Sequence, residues 1–189
     1  MKALAKRLSP SATDLLRADH TRVVAVFHRY AADLSPRVKQ GLVENACLML
    51  EMHAQIEEEI FYPQMRNADP AIVEKSIPEH DEMRRLIAAL RGTHPADPDY
   101  DETFFRLVHA VLHHVADEES KLFPDAERLF PEELSRMGAQ LAKRRLQLGA
   151  PRMGEMARSA ARVVPLSGIA VAVAGLLAGA LIYRQAFRR

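Results

Sequence analysis

Two eleven-residue strings in this chain are one pattern written twice: HAQIEEEIFYP at 53–63 and HVADEESKLFP at 114–124. Each runs histidine, three residues, Glu-Glu, then an aromatic residue directly before a proline ten positions after the histidine. Residues four apart on a helix share a face, so His53 is set beside Glu57 and His114 beside Glu118. Apolar residues recur on the same faces, Val43, Ala46, Leu50 and Ile60 around His53, and Leu107, Val111 and Leu122 around His114. The polar groups therefore fall on a core stripe. Burying ionised glutamates there without partners costs many kcal/mol or forces them neutral. Cations at the centre remove that cost.

The remaining organisation fits the same plan. Helical periodicity marks segments from about Thr13 to Leu34, from Pro36 to about Pro63, from Pro70 to Gly92, and from about Glu102 to Phe123. The first and third each carry a histidine preceded by an acid, Asp19-His20 and Glu79-His80. His20 lies 33 residues before His53, and His80 lies 34 before His114, so the chain reads as two similar helical hairpins. Short connections between long amphipathic helices favour antiparallel neighbours. The expected fold is all-α, an up-down antiparallel four-helix bundle over residues 10–130.

Four imidazoles and two carboxylates converging from four helices make a dinuclear metal site: His20, His53, Glu57, His80, His114 and Glu118. Each glutamate can bridge both ions, and each ion takes two histidines. That set fills about eight of roughly twelve positions on two six-coordinate ions, which leaves room for a small exogenous ligand. Imidazole with carboxylate suits iron, and manganese or zinc can occupy the same donors. Glu58 and Glu119 stand one step further round the helix, as outer-face residues or supports of the site. His113 competes with His114, being also near Glu118; the repeat selects His114, because Met52 occupies the position matching His113. His28 and His94 have no supporting pattern and read as surface residues, and Cys47 reads as a small apolar residue.

A formal net charge of +1 gives no reason to expect a nucleic-acid partner. One cysteine makes no disulfide framework, and the basic N-terminus never develops the apolar run of a signal peptide. Residues 131–162 read as a charged peripheral helix and a basic linker, and 163–183 as 21 residues without a charged side chain. At helical rise such a run is about 30 Å long, enough for a transmembrane helix. Six basic residues precede it (Lys143, Arg144, Arg145, Arg152, Arg158, Arg162) and three follow (Arg184, Arg188, Arg189). The expectation is a single-pass C-terminal anchor with the soluble domain cytoplasmic. Gly175 and Gly179 have the spacing of a helix-dimer face, and the basic stretch could lie on lipid headgroups.

With His20, His53-xxx-Glu57, His80 and His114-xxx-Glu118, each string followed by Glu and Phe/Tyr-Pro, residues 10–130 resemble the hemerythrin-like, or HHE cation-binding, proteins. The resemblance implies a four-helix bundle holding two oxo- or hydroxo-bridged iron ions that bind or react with O₂, NO or peroxide. Oxygen-carrying hemerythrins have a fifth histidine where this chain has Arg84, and repair-type members carry a cysteine-bearing N-terminal domain missing here. The leading expectation is a membrane-anchored di-iron protein that binds or senses these ligands. The alternatives are a di-iron enzyme (Fe(II) oxidation, peroxide or NO consumption, or a repair-like activity) and a metal-free tail-anchored adaptor.

Overall fold

The computed structural model describes residues 10–67 and 69–163. Helix α1 (Ala12–Phe27) starts at Ser11, whose hydroxyl accepts from the Asp14 amide while the Asp14 carboxylate accepts from the Ser11 amide, 3.2 and 2.9 Å. This reciprocal cap satisfies two of the donors that a helix start leaves unpaired. Next come α2 (Pro36–Ile56), a wide π-helical turn (Glu57–Phe61) and the short α3 (Tyr62–Met65). Helix α4 (Pro70–Gly92) opens on Asp69, whose carboxylate accepts from the Ile72 amide at 3.0 Å. Then α5 (Pro98–Asp117), a second π turn (Glu118–Leu122) and α6 (Phe123–Leu129) repeat the arrangement of α2 and α3. Helix α7 (Pro131–Gly149), a 3-10 turn (Ala150–Arg152) and α8 (Met153–Val163) complete the described chain.

Both π turns begin on the glutamate four after the histidine and end just before Phe-Pro or Tyr-Pro. Proline has no amide hydrogen and its ring collides with the carbonyl four residues back. Widening the turn relieves that collision at Pro63 and Pro124, and the amides of Tyr62 and Phe123 donate to the carbonyls of Glu57 and Glu118 instead. Such bulges recur at functional sites.

Two apolar clusters fill the interior. One contains Val23, Phe27, Leu50, Met83, Leu90, Phe104 and Val111; the other contains Leu16, Ile56, Phe61, Val73, Leu122 and Phe123. His20, His53, His80 and His114 lie between them in each helix. Along α1 and α4 the second cluster comes before the histidine, and along α2 and α5 the first does. The four helices thus cross one polar layer in alternating order.

Three sequence expectations are revised. Helix α1 stops at Phe27 rather than near Leu34, because a tight turn lets the Tyr30 ring pack on Phe104, 4.1 Å between centroids, and its hydroxyl donate to Asp101. Helix α7 is not peripheral: Leu134, Met137 and Leu141 are buried, and Gly138 lies so near the Pro10 carbonyl that a Cβ would stand 2.2 Å from it. The basic linker is in part helix α8, seated on α2 where a Cβ on Gly41 would meet the Ser159 carbonyl at 2.8 Å.

The membrane localisation is corrected as well. No helix among the described residues is long and apolar enough to cross a membrane, so a single-pass anchor and the cytoplasmic orientation deduced from it have no support. The expected span at 163–183, with Gly175 and Gly179, lies outside the described residues apart from Val163. Several basic residues that set the expected orientation are paired with acids of the helical core. Arg144 binds Glu59 at 2.6 Å, Arg145 pairs with Asp19, and Arg152 stands 4.0 Å from Glu51. Charge neutralised by the fold itself is weak evidence for a facing leaflet.

Candidate metal centre

All six expected ligands are buried and meet in the polar layer: His20 from α1, His53 from α2, His80 from α4, His114 from α5, and Glu57 and Glu118 from the first positions of the two π turns. Glu57 and Glu118 have no solvent exposure. The histidines form two pairs, His20 with His53 (Nε2–Nε2 3.1 Å) and His80 with His114 (3.2 Å). Each glutamate serves both pairs. Glu57 Oε2 is 3.2 Å from His53 Nε2 and 3.4 Å from His80 Nε2; Glu118 Oε2 is 3.3 Å from His20 Nε2 and 3.5 Å from His114 Nε2. An ion with ligand bonds of about 2.0–2.2 Å holds neighbouring donors roughly 3.0–3.4 Å apart. The observed separations match such a cage.

The outer nitrogens explain why the inner ones face each other. His20 Nδ1 is 2.8 Å from Glu119 Oε1, His80 Nδ1 is 2.8 Å from Glu58 Oε1, and His114 Nδ1 is 3.0 Å from Glu79 Oε2. Ionised carboxylates only accept, so each of these Nδ1 atoms carries the proton, and a neutral ring turns its Nε2 lone pair inward. In the His80–His114 pair two lone pairs then confront one another at 3.2 Å. A cation between them removes the repulsion, and a carboxylate behind a ligating imidazole is the usual support of a metal-bound histidine. Buried Glu57 Oε1 and Glu118 Oε2 also lack a hydrogen-bond partner among the described residues. The donor set fits a metal pair.

In the metal-free layer protons stand in for the cation: burial opposes a charge on His20, but Glu118 outweighs it and raises that imidazole above the usual histidine value. Burial, then the neighbouring Glu118 charge, pushes the Glu57 carboxyl well above the ordinary carboxylate range. Burial likewise opposes ionisation of Glu118, but His114 and His20 outweigh it and hold that carboxyl low. Burial, reinforced by His20, drives His53 well below the usual histidine value. Glu58 is depressed mainly by its bond to His80 and Glu79 by its bond to His114.

Tyr62 is the residue the sequence reading missed. Its hydroxyl donates to Glu118 Oε1 at 2.9 Å and lies 3.4 Å from both Glu57 Oε2 and His80 Nε2. Its ring stacks on His80, 5.6 Å between centroids, as Phe123 stacks on His20 at 5.7 Å. In this stacking the two halves of the centre differ by one hydroxyl. The aromatic residue before each proline was the available signal, and the difference between Tyr62 and Phe123 carried the information.

Beside the four histidines is a small cavity of about 20 Å³, walled by Val23, Leu50, Ala54, Met83, Val111 and Val115. A single water needs about 10–15 Å³ of such space. The space admits one very small molecule.

The model of the hemerythrin HHE cation binding domain matches residues 11–126. The chain belongs to this family. The HHE domain shares its helical fold with a crystal structure of a hemerythrin HHE cation binding domain-containing protein from Mycobacterium kansasii. The TM-score is 0.66 at 17% identity, with 81% of this chain and 99% of that chain covered. A Nostoc sp. protein named DNA nickase is 30% identical over 111 residues, 58% of this chain and 32% of that protein. The chain thus spans about a third of that relative's length.

Within this HHE domain the secondary candidates separate by position. Glu58 and Glu119 support His80 and His20 from behind. Arg84 pairs with Glu58 at 2.6 Å, sharing the oxygen that His80 uses. His113 is exposed and stands 3.4 Å from Glu79, outside the polar layer, in a group with Asp117 that Lys75 already neutralises. His28 and His94 are exposed. Cys47 is buried, and burial pushes its thiol up to about 12.

Proposed function

We propose that His20, His53, His80 and His114, with Glu57 and Glu118 as bridges, hold a pair of iron ions in a four-helix bundle, and that the site binds O₂, NO or peroxide. The observation that carries this reading is the placement of each glutamate Oε2 between one histidine of each pair. The metal pair supplies open coordination positions and redox chemistry. The chain supplies the rest. Glu58, Glu79 and Glu119 fix ring orientation and keep the Nε2 lone pairs inward. The apolar cavity excludes bulk water and anything larger than a few atoms. Tyr62 offers one hydroxyl at the His80 side, able to donate a hydrogen bond within the layer.

Ligand binding is preferred to turnover because, besides the four histidines and Asp19, which Arg22 engages, the described residues lining the cavity are apolar. DNA nicking is not carried over from the Nostoc relative, of which only 32% is matched. The test is metal analysis of the purified chain with absorption spectra before and after O₂, NO and peroxide. About two irons per chain and a spectrum that changes with one of these ligands are expected. A folded chain that takes up no iron overturns the reading.

A further inference from the structure

His20 and His80 occupy matching places in the two hairpins, and a glutamate behind each ring accepts from Nδ1 at the same 2.8 Å. What stands behind those glutamates differs. Glu58 Oε1 also accepts from Arg84 Nη2 at 2.6 Å. Arg84 lies four residues after His80 on α4, so both donors rise from one face of the helix and meet one oxygen. Its other terminal nitrogen, Nη1, donates to Asp81 at 2.9 Å, which ties the guanidinium to its own helix. Four residues after His20 the chain has Val24 instead, partly buried and packed on the first apolar cluster. Glu119 accordingly has no partner but His20 among the described residues.

Two donors on one oxygen could draw a carboxylate off its imidazole, yet the His80 contact is no longer than the His20 contact. The guanidinium therefore holds Glu58 without displacing it. Side-chain exposure runs the same way, 29% for Glu58 against 40% for Glu119. A glutamate held at one point exchanges its hydrogen bond with water and keeps rotamers to escape into. One held by two donors, one of them a charged planar fork, has less freedom to leave. A carboxylate behind a ligating imidazole fixes its ring and tautomer. The hold passes from Arg84 through Glu58 to His80.

We infer that Arg84 is a positioning residue of the metal centre: it clamps Glu58 onto His80 and makes the ion at the His80–His114 pair the more firmly held of the two. The inference rests on the di-iron reading above. The ion at the His20–His53 pair, where Glu119 stands without a clamp, is then the first to leave.

The test uses the full chain loaded with iron, in wild type, Arg84→Leu, Arg84→Lys, Glu58→Gln and the combined Arg84→Leu, Glu58→Gln form. Release of iron to a ferrous chelator under reducing conditions is followed in time. Wild type releases its two ions in two phases. Arg84→Leu speeds the slow phase about tenfold, the lower end of what loss of a ligand's support costs, and leaves the fast phase as it was. Arg84→Lys keeps a cation on Glu58 and restores most of the difference. Arg84→Leu adds nothing in the Glu58→Gln background, because both act through one carboxylate. In the metal-free chain, nitrogen NMR finds the His80 Nδ1 proton exchanging faster with water in Arg84→Leu and the His20 proton unchanged, a contrast that a general loss of helix stability would not produce. An unchanged slow phase in Arg84→Leu would overturn the inference, showing that Glu58 keeps its place alone. Acceleration of both phases together would overturn it too, leaving Arg84 only a brace for α4, as would a single phase in wild type. Iron content of the wild type separates the two levels: a chain without iron sinks both readings, whereas two irons with an unresponsive Arg84→Leu sinks this one only.

Discussion

Glu58 holds the ring of His80 from a neighbouring helix, Oε1 to Nδ1 at 2.8 Å, and Glu119 holds His20 at the same distance. The Glu-Glu doublet of each string is thus divided. Its first member turns into the centre, and its second reaches out to the single histidine of the opposite element. Each single-histidine helix returns the service through the acid before its histidine, closely in Glu79 to His114 and loosely in Asp19 to His53.

Glu58→Gln tests this division. An amide can donate as well as accept, so it no longer dictates which nitrogen of His80 carries the proton. Metal affinity should fall roughly 10–100-fold with the fold intact, measured by chelator competition alongside circular dichroism. Unchanged affinity would mean Glu58 is a solvated surface residue.

Glu57 makes the metal-free chain sensitive to pH. Its folded pKa is raised, first by burial and then by Glu118, so its contribution is fully present below the unfolded value of about 4.3 and is lost as pH rises toward the folded one. Metal-free wild type should therefore lose stability between about pH 5 and 7 relative to Glu57→Gln, which has no proton to lose. Denaturant unfolding of both forms at the two pH values measures it; parallel behaviour argues that Glu57 is ionised without a cation. Glu58 and Glu79, whose carboxyls are depressed by His80 and His114, act in the opposite sense, losing their contribution as pH falls below that value.

Tyr62→Phe removes the donor to Glu118 Oε1 and leaves a phenylalanine ring stacked on each of His80 and His20. Leaving a buried acceptor without its partner costs about 1–3 kcal/mol, read as a lower urea midpoint for the metal-free chain. The absorption spectrum of the iron-loaded form should shift as well. Phe123→Tyr, which adds a hydroxyl beside His20, is the complementary variant; identical spectra in all three forms would place Tyr62 outside the metal environment.

Gly138→Ala should destabilise by roughly 1–3 kcal/mol, because its Cβ would press on backbone at Pro10 rather than on a movable side chain. The unfolding midpoint measures this. A neutral outcome would show that α7 can slide on α1.

The sequence by itself determined the helices of the domain and the six buried polar positions. Periodicity and the repeated string depend on neighbours three and four residues away, so His53 with Glu57 and His114 with Glu118 were legible before any fold was known. The metal-support pattern was half legible: Glu58 and Glu119 were marked by repetition, but which histidine each would reach depends on contacts between helices. Tyr62, the loose Asp19, and the burial of α7 and α8 were decided by tertiary structure alone. Arg144, Arg145 and Arg152 read along the chain as charge bordering an apolar run, because sequence adjacency is all that a charge count sees. In space they meet Glu59, Asp19 and Glu51, and Coulomb attraction depends on that distance, not on position in the chain.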